Sequence, residues 1–140
     1  MREKSAGAVI YRKEDGKVNY LILFYGAGHW DYVKGNVEPD EEEEETVLRE
    51  AEEEAGLMDL KLIRGFKERI SYFYKSEGKT ISKEVVFYLG ETGRKEVKLS
   101  AEHKGYKWLE LDKAVKQVSY KNSRNVLSKA DKFIKSREGQ

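Results

Sequence analysis

The sequence has no cysteine, so no disulfide framework, thiolate metal centre or cysteine nucleophile is open to it. Only 2 histidines are present, too few for a multi-histidine zinc centre. No apolar run approaches the roughly 20 residues needed to span a bilayer. The first residues, MREKSAGAVIYRKEDGK, lack the uninterrupted apolar region of a signal peptide. These absences predict a cytoplasmic protein with no membrane partner. An excess of one charge sign is missing too. Lys+Arg 27 against Asp+Glu 26 leave a net charge of +1, so there is no whole-domain field for grasping nucleic acid. What is present is enough to fold. Hydrophobic residues at 39% and aromatics at 11% argue against disorder despite 38% charged residues. A chain of 140 residues fits one domain, 1–140, with a real core.

Ser5 to Tyr11 and Val18 to Tyr25 read as strands joined by a turn over Lys13 to Lys17, with Asp15-Gly16 as the hairpin signal. The second strand, VNYLILFY, is nearly continuous in apolar character, which predicts burial on both faces. Gly26 to Pro39 is glycine-punctuated and reads as loop with short extended pieces. A helix follows, with Asp40 as the expected N-cap, Glu43 as its capping-box partner and Gly56 as C-cap. Its start is free to slip by about two or three residues within the acidic run. Leu48, Ala51 and Ala55, extended by Val47, form the expected core stripe. Further strands are expected at Leu60 to Ile63, Phe66 to Tyr74, Glu84 to Gly90 and Tyr106 to Leu109, with Ser76 to Lys79 as a turn. Helices over Asp112 to Val118 and Asn122 to Ser136 close the chain, the second with Val126, Leu127, Ala130, Phe133 and Ile134 on one face. This α+β order is β-rich with one early helix, not a series of βαβ units.

The segment from Gly35 to Leu57, GNVEPDEEEEETVLREAEEEAGL, concentrates negative charge. Glu50, Glu53 and Glu54 fall within about 100° of arc on one helical face. Like charges so placed cost a few tenths of a kcal/mol per pair. A hard divalent cation removes that repulsion, and magnesium, which takes oxygen ligands, is also the cation that partners phosphate oxygens. By composition alone the run also reads as a solvated face.

Gly35, five residues, Glu41, seven residues, then Arg49-Glu50-Ala51-x-Glu53-Glu54-x-Gly56-Leu57 resembles the Nudix box without a gap. Gly35, Arg49 and Gly56 match independently of the Glu-rich background. The layout of the whole chain is similar as well. The resemblance implies a mixed β-sheet sandwiched between helices (α/β/α) and hydrolysis of a nucleoside diphosphate linked to another moiety. It implies metal binding by Glu50, Glu53 and Glu54, with the Gly35 carbonyl as a further ligand. Glu41 and Arg49 would form an ion pair that orients the ligands. Mg2+ is the implied ion, with Mn2+ as the alternative.

Segments beyond the box narrow the resemblance. GHWDYVKGNVEP (Gly28 to Pro39) is similar to the tryptophan–proline–proline–lysine–glycine stretch of asymmetric diadenosine tetraphosphate hydrolases, as are GFKERISY (Gly65 to Tyr72) and LSAEHKGYKWLEL (Leu99 to Leu111). The sequence departs at Tyr32 and Val33, where that family has prolines, which predicts a looser approach to Lys34. Lys34, Lys67 and Lys83 are candidate cations for a polyphosphate. By resemblance, Tyr72 and Tyr120 would sandwich an adenine, a stack worth roughly 1–3 kcal/mol per base. His29 would touch phosphate or ribose. Glu102 matches a catalytic glutamate beyond the box, as base or metal ligand, so that either Glu102 or Glu54 would take the proton from water.

Plain structural roles stand beside these. Some of the rings Tyr72, Phe73 and Tyr74 are expected in the core. Trp30 and Trp108 read as packing residues, Lys67 and Lys83 equally as surface lysines, and His103 as structural or surface. The expected reaction is magnesium-dependent cleavage of diadenosine tetraphosphate to ATP and AMP by a monomer or homodimer. Rival readings are another Nudix pyrophosphohydrolase acting on RNA 5′ ends, nucleoside triphosphates or diphosphoinositol polyphosphates, a non-catalytic nucleotide sensor, and an acidic helix docking a basic partner.

Overall fold

The computed structural model describes residues 2–138. Strand β1 (Arg2–Glu14) turns through Asp15 and Gly16, both at positive φ (52° and 77°), into β2 (Lys17–Tyr25). Two successive left-handed residues match the right-handed twist of paired strands, which is why Asp-Gly works here. Short strands β3 (His29–Asp31) and β4 (Val33–Asn36) follow, then helix α1 (Glu43–Ala55) and β5 (Lys61–Leu62). Strands β6 (Glu68–Ser76) and β7 (Lys79–Glu91) form a long hairpin; β8 (His103–Leu109), α2 (Leu111–Gln117) and α3 (Lys121–Glu138) complete the chain. The sheet runs β3-β2-β1-β7-β5, with β4 on β1, β6 on β7 and β8 on β2. It is mixed: β1 and β7 run parallel from Arg2↔Ser82 to Tyr11↔Glu91, and the other pairs are antiparallel.

Strand alternation divides the core into two layers. Val9, Tyr11, Tyr20, Ile22 and Phe87 pack against Ala114, Val126, Leu127, Ala130 and Ile134 of α2 and α3. Ala6, Ala8, Ile10, Leu21 and Leu23 pack against Val47, Ala51 and Ala55 of α1. Helices thus cover both faces, giving the α/β/α arrangement expected. Both sides of β2 are buried, as its unbroken apolar run predicts. Among the described residues no helix is long and apolar enough to cross a membrane.

Several expectations need correction. The α1 N-cap is Glu42, and its N–H donates to Glu45 Oε1 at 2.9 Å, so the cap sits two residues past Asp40. Nothing in a run of identical glutamates fixes that register; the neighbouring Glu41 is drawn off to Arg49 and Thr46 instead. Leu48 is 43% exposed, not core. The buried arc centres on Val47, Ala51 and Glu54, and Leu48 lies about 100° round from Val47. Tyr72, Phe73 and Tyr74 are none of them buried, Phe73 being 74% exposed. Among the described residues β6 pairs only with β7, and past Ile70, which packs on the α2–α3 side, its residues lie exposed at the sheet edge. The segment replacing the prolines is not loose. Tyr32 and Val33 are buried, the Tyr32 hydroxyl donates to the Ser123 carbonyl, and its own carbonyl accepts from Tyr25. Hydrogen bonds and packing against Phe87 hold what a fixed proline φ would otherwise hold.

Candidate active site

Two cavities meet at Lys34. One, of about 360 Å³, is lined by Tyr25, Gly35, Arg49, Glu50, Glu54, Lys83 and Glu102 among others. The second, of about 460 Å³, is lined by His29, Asp31, Ile70, Tyr72, Tyr120 and the start of α3. The first is the acidic cavity; the second, faced by the rings of His29, Tyr72 and Tyr120, is the aromatic one.

Helical geometry grades the three box glutamates by depth. Taking Glu50 as reference, Glu54 lies about 40° toward the core and Glu53 about 60° toward solvent. Glu54 is accordingly buried in the middle of the apolar stripe, whereas Glu53 is exposed. Glu50 and Glu54 therefore share the cavity, and Glu53 is not among its lining residues. The Glu50 carboxylate lies directly against Gly35, where an added Cβ would stand 2.5 Å from both of its oxygens. A side chain at position 35 would displace the Glu50 carboxylate from that place.

Arg49 organises the entrance. It forks onto Glu41 through Nε (2.7 Å) and Nη2 (3.0 Å), and reaches Glu50 at 2.6 Å and Glu53 at 3.2 Å. Nη2 also donates to the Asn36 carbonyl at 3.1 Å, tying helix to loop. Hydrogen bonds from Arg49 and Thr46 hold the Glu41 carboxyl down at about 2. The same contacts push Arg49 upward from its ordinary value, most of all the bond to Glu41. This is the geometry an ion pair needs in order to orient ligand carboxylates.

Glu54 Oε1 accepts the Lys34 N–H at 3.0 Å. Burial, followed by the charge of Glu50, raises the Glu54 carboxyl to about 8. Burial also raises Glu50, with Arg49 opposing and Glu53 and Glu102 adding to the rise. Among the described residues no hydrogen bond or ion pair engages the Glu102 carboxylate, although it lines the same cavity. Among the described residues no three ligating side chains converge tightly enough to enclose an ion as they stand. The like-charged carboxylates turn to the nearest donors instead, Glu50 to Arg49 and Glu54 to the Lys34 amide. The donor set still suits a hard cation: oxygen ligands only, crowded until their proton affinity climbs.

Lys34 Nζ pairs with the buried Asp31 at 3.0 Å. Burial pulls its pKa down, but Asp31 more than reverses this and leaves it above the ordinary lysine value. His29 stacks on Tyr25 (4.7 Å, 8°) and contacts Tyr120 at 5.4 Å, so it stands between the cavities. Burial lowers the His29 pKa, with the Lys34 charge adding to the effect. Tyr72 and Tyr120 line the aromatic cavity, 37% and 50% exposed, with their rings available to a ligand. Lys83 lines the acidic cavity and donates to Asn36 Oδ1 at 3.0 Å. Lys67 is in neither; its Nζ lies 3.3 Å from Glu43 and over the Tyr88 ring, which spends its charge at the start of α1. Trp30 and Trp108 pack against the two core layers as expected.

Sequence reasoning missed Asp31, Tyr25 and the depth of His103. Asp31 stands three residues before Lys34, the only visible hint of their pairing. His103 is buried, not surface, and lies beside Glu54. Its adjacency to Glu102 was the available signal.

A glutamate-bearing helix, laid against a glycine strand beside a cavity walled by Tyr72 and Tyr120, is the arrangement of a phosphoanhydride hydrolase of the Nudix type. The chain belongs to that family: the model described as the NUDIX domain matches residues 1–130. Curated relatives named bis(5′-nucleosyl)-tetraphosphatase, asymmetrical, match nearly end to end. The Caenorhabditis elegans protein is 37% identical over 134 residues, covering 94% of this chain and 96% of its own. The Sus scrofa protein is 34% identical over 146 residues, with 96% and 97% covered. A crystal structure of a C. elegans Ap4A hydrolase binary complex aligns with a TM-score of 0.85 at 35% identity, covering 96% of this chain and 98% of that one.

Proposed function

We propose that this enzyme hydrolyses dinucleoside polyphosphates with Mg2+, or Mn2+ in its place, and cleaves diadenosine tetraphosphate to ATP and AMP. The observation that carries this reading is the junction of the two cavities. A base seated between Tyr72 and Tyr120 directs its phosphate chain past Lys34 toward Glu50, Glu54 and Glu102. The full-length similarity to asymmetrical tetraphosphatases supports it.

Glu50, Glu54 and the Gly35 carbonyl would hold the metal, with Glu53 joining from the rim. The ion supplies charge neutralisation for phosphate oxygens and acidifies a water. Lys34 and Lys83, both lining the acidic cavity, bind the phosphate chain. His29 borders the ribose and first phosphate. Arg49 holds Glu50 in place while anchored to Glu41. Glu102 takes the proton from the attacking water, because its carboxylate has no partner among the described residues whereas Glu54 is assigned to the metal and holds the Lys34 amide through Oε1. Lys67 has no part in binding.

Incubation with diadenosine tetraphosphate and Mg2+ tests the reading. Equal amounts of ATP and AMP are expected. Two ADP as the only products would contradict the asymmetric mode, and no turnover across dinucleoside polyphosphates would contradict the substrate class.

A further inference from the structure

The loop from Ser100 to His103 is fastened on both sides. Ser100 N–H donates to the Glu54 carbonyl at 3.3 Å, and Lys98 N–H to the Ala55 carbonyl at 2.9 Å, so the loop seals the last turn of α1. On the other side the Glu102 carbonyl accepts from Gly26 N–H at 3.0 Å. His103 lies between these fastenings with its ring against Tyr25 (4.4 Å, edge-on). Its Nδ1 is 3.0 Å from Ser100 Oγ, and its buried Nε2, 3.4 Å from Glu54 Oε2, makes no hydrogen bond among the described residues.

The hydrogen bonds have a direction. Ser100 Oγ accepts weakly from Glu102 N–H at 3.4 Å, and its own proton has His103 Nδ1, at 3.0 Å, as its one acceptor among the described residues. An Nδ1 acceptor in a neutral imidazole places the remaining proton on Nε2. That nitrogen lies 3.4 Å from Glu54 Oε2, the oxygen that Lys34 does not hold, without yet making a hydrogen bond to it. We propose that His103 is a positioning residue: fixed as the Nε2–H tautomer by Ser100, it orients Glu54 Oε2 and couples the ligating helix to the loop that carries Glu102. The inference rests on the reading of Glu54 as a metal ligand. Carboxylate ligands are set by such outer partners, whose removal weakens metal affinity by about 10–100-fold.

Titration of the full-length protein with MgCl2 and MnCl2, beside steady-state kinetics, separates orientation from packing. His103→Phe keeps the ring volume without a donor. It is expected to weaken metal binding by about 10–100-fold and to lower kcat with KM unmoved. His103→Gln restores a donor near the Nε2 position and is expected within about threefold of wild type. Should His103→Phe destabilise the fold, Ser100→Ala keeps the ring and frees the tautomer, and a weakened metal affinity is again expected. Long-range proton–nitrogen NMR should show the proton on Nε2. Equal loss in the Phe and Gln variants, unchanged affinity in the Phe or Ala variants, or an Nδ1 proton would overturn the inference. Glu54→Gln is the control: if it binds metal as well as wild type does, the metal-site reading itself fails, and not merely this extension of it.

Discussion

The acidic and aromatic cavities share Lys34 but are held together differently. In the acidic cavity Arg49 fastens Glu41 and Glu50, and the Lys34 amide fastens Glu54. Glu41, Glu50 and Glu54 are each held by a hydrogen bond, and Glu102 alone of the cavity's carboxylates has no partner among the described residues. In the aromatic cavity Tyr72 projects from an edge strand and Tyr120 from the entry to α3, both substantially exposed. On the proposed function the contrast is a division of labour: a braced, charged half for the reaction beside a more exposed half for a flat base. The rigid half would then set the reaction, and the looser half the affinity for the nucleobase.

Breaking the rigid half should have the largest effect. Glu54→Gln is expected to cut kcat by about 10²–10⁴-fold, the usual worth of a metal-ligand or base role. It should also melt at or above the wild-type temperature at pH 8, because a like-charge contact is removed. Normal turnover would show that this carboxylate is only structural. At the shared wall, Lys34→Met leaves the Asp31 carboxylate buried and unpaired, at a cost of about 3 kcal/mol in urea unfolding. Adding Asp31→Asn should recover the stability but leave KM high. Recovery of both would remove Lys34 from phosphate binding.

Smaller effects separate the halves. Tyr120→Ala and Tyr72→Ala should each raise KM by about tenfold, consistent with a stack of roughly 1–3 kcal/mol, and leave Mg2+ affinity in calorimetry unchanged. A fall in kcat at unchanged KM would contradict the division. Proton linkage gives a finer probe of the rigid half. The Glu54 carboxyl is at about 8 in the folded chain, against 4.5 for an ordinary glutamate. Between these values the folded protein holds a proton that the unfolded chain has released, so this group's stabilising contribution is complete below the lower value. It is lost as pH rises through the higher one. Without metal, melting temperature should therefore decline across that window, while Mg2+ binding tightens and releases protons. A flat Mg2+ affinity over the same range would contradict the assignment. Lys67→Ala should have the smallest effect, less than a twofold change in KM, since its partly exposed ion pair with Glu43 is worth about 0–1 kcal/mol.

The two halves also differ in how well the sequence announced them. Residue types and spacing carried the rigid half: Gly35 through its place in the box, and Glu50 and Glu54 because one helical turn aligns them. The Asp15-Gly16 hairpin and the doubly buried β2 were legible because turn chemistry and periodicity are local. Long-range contacts were not. The Glu42 cap depends on Glu41 leaving for Arg49, eight residues on. Exposure of the Tyr72–Tyr74 rings depends on β6 lying at an edge, which no local pattern states. Tyr32 replaces a proline by means of a bond to Ser123, 91 residues away. Burial of His103 likewise follows from where α1 ends.

The most direct measurement is a crystal structure of the protein with Mg2+ and a nonhydrolysable diadenosine tetraphosphate analogue. The account predicts electron density for the ion on Glu50 and Glu54, the phosphate chain crossing Lys34, and one adenine between Tyr72 and Tyr120. Density for the ion or the nucleotide elsewhere, with the Glu50–Glu54 face still closed onto Arg49 and the Lys34 amide, would contradict it.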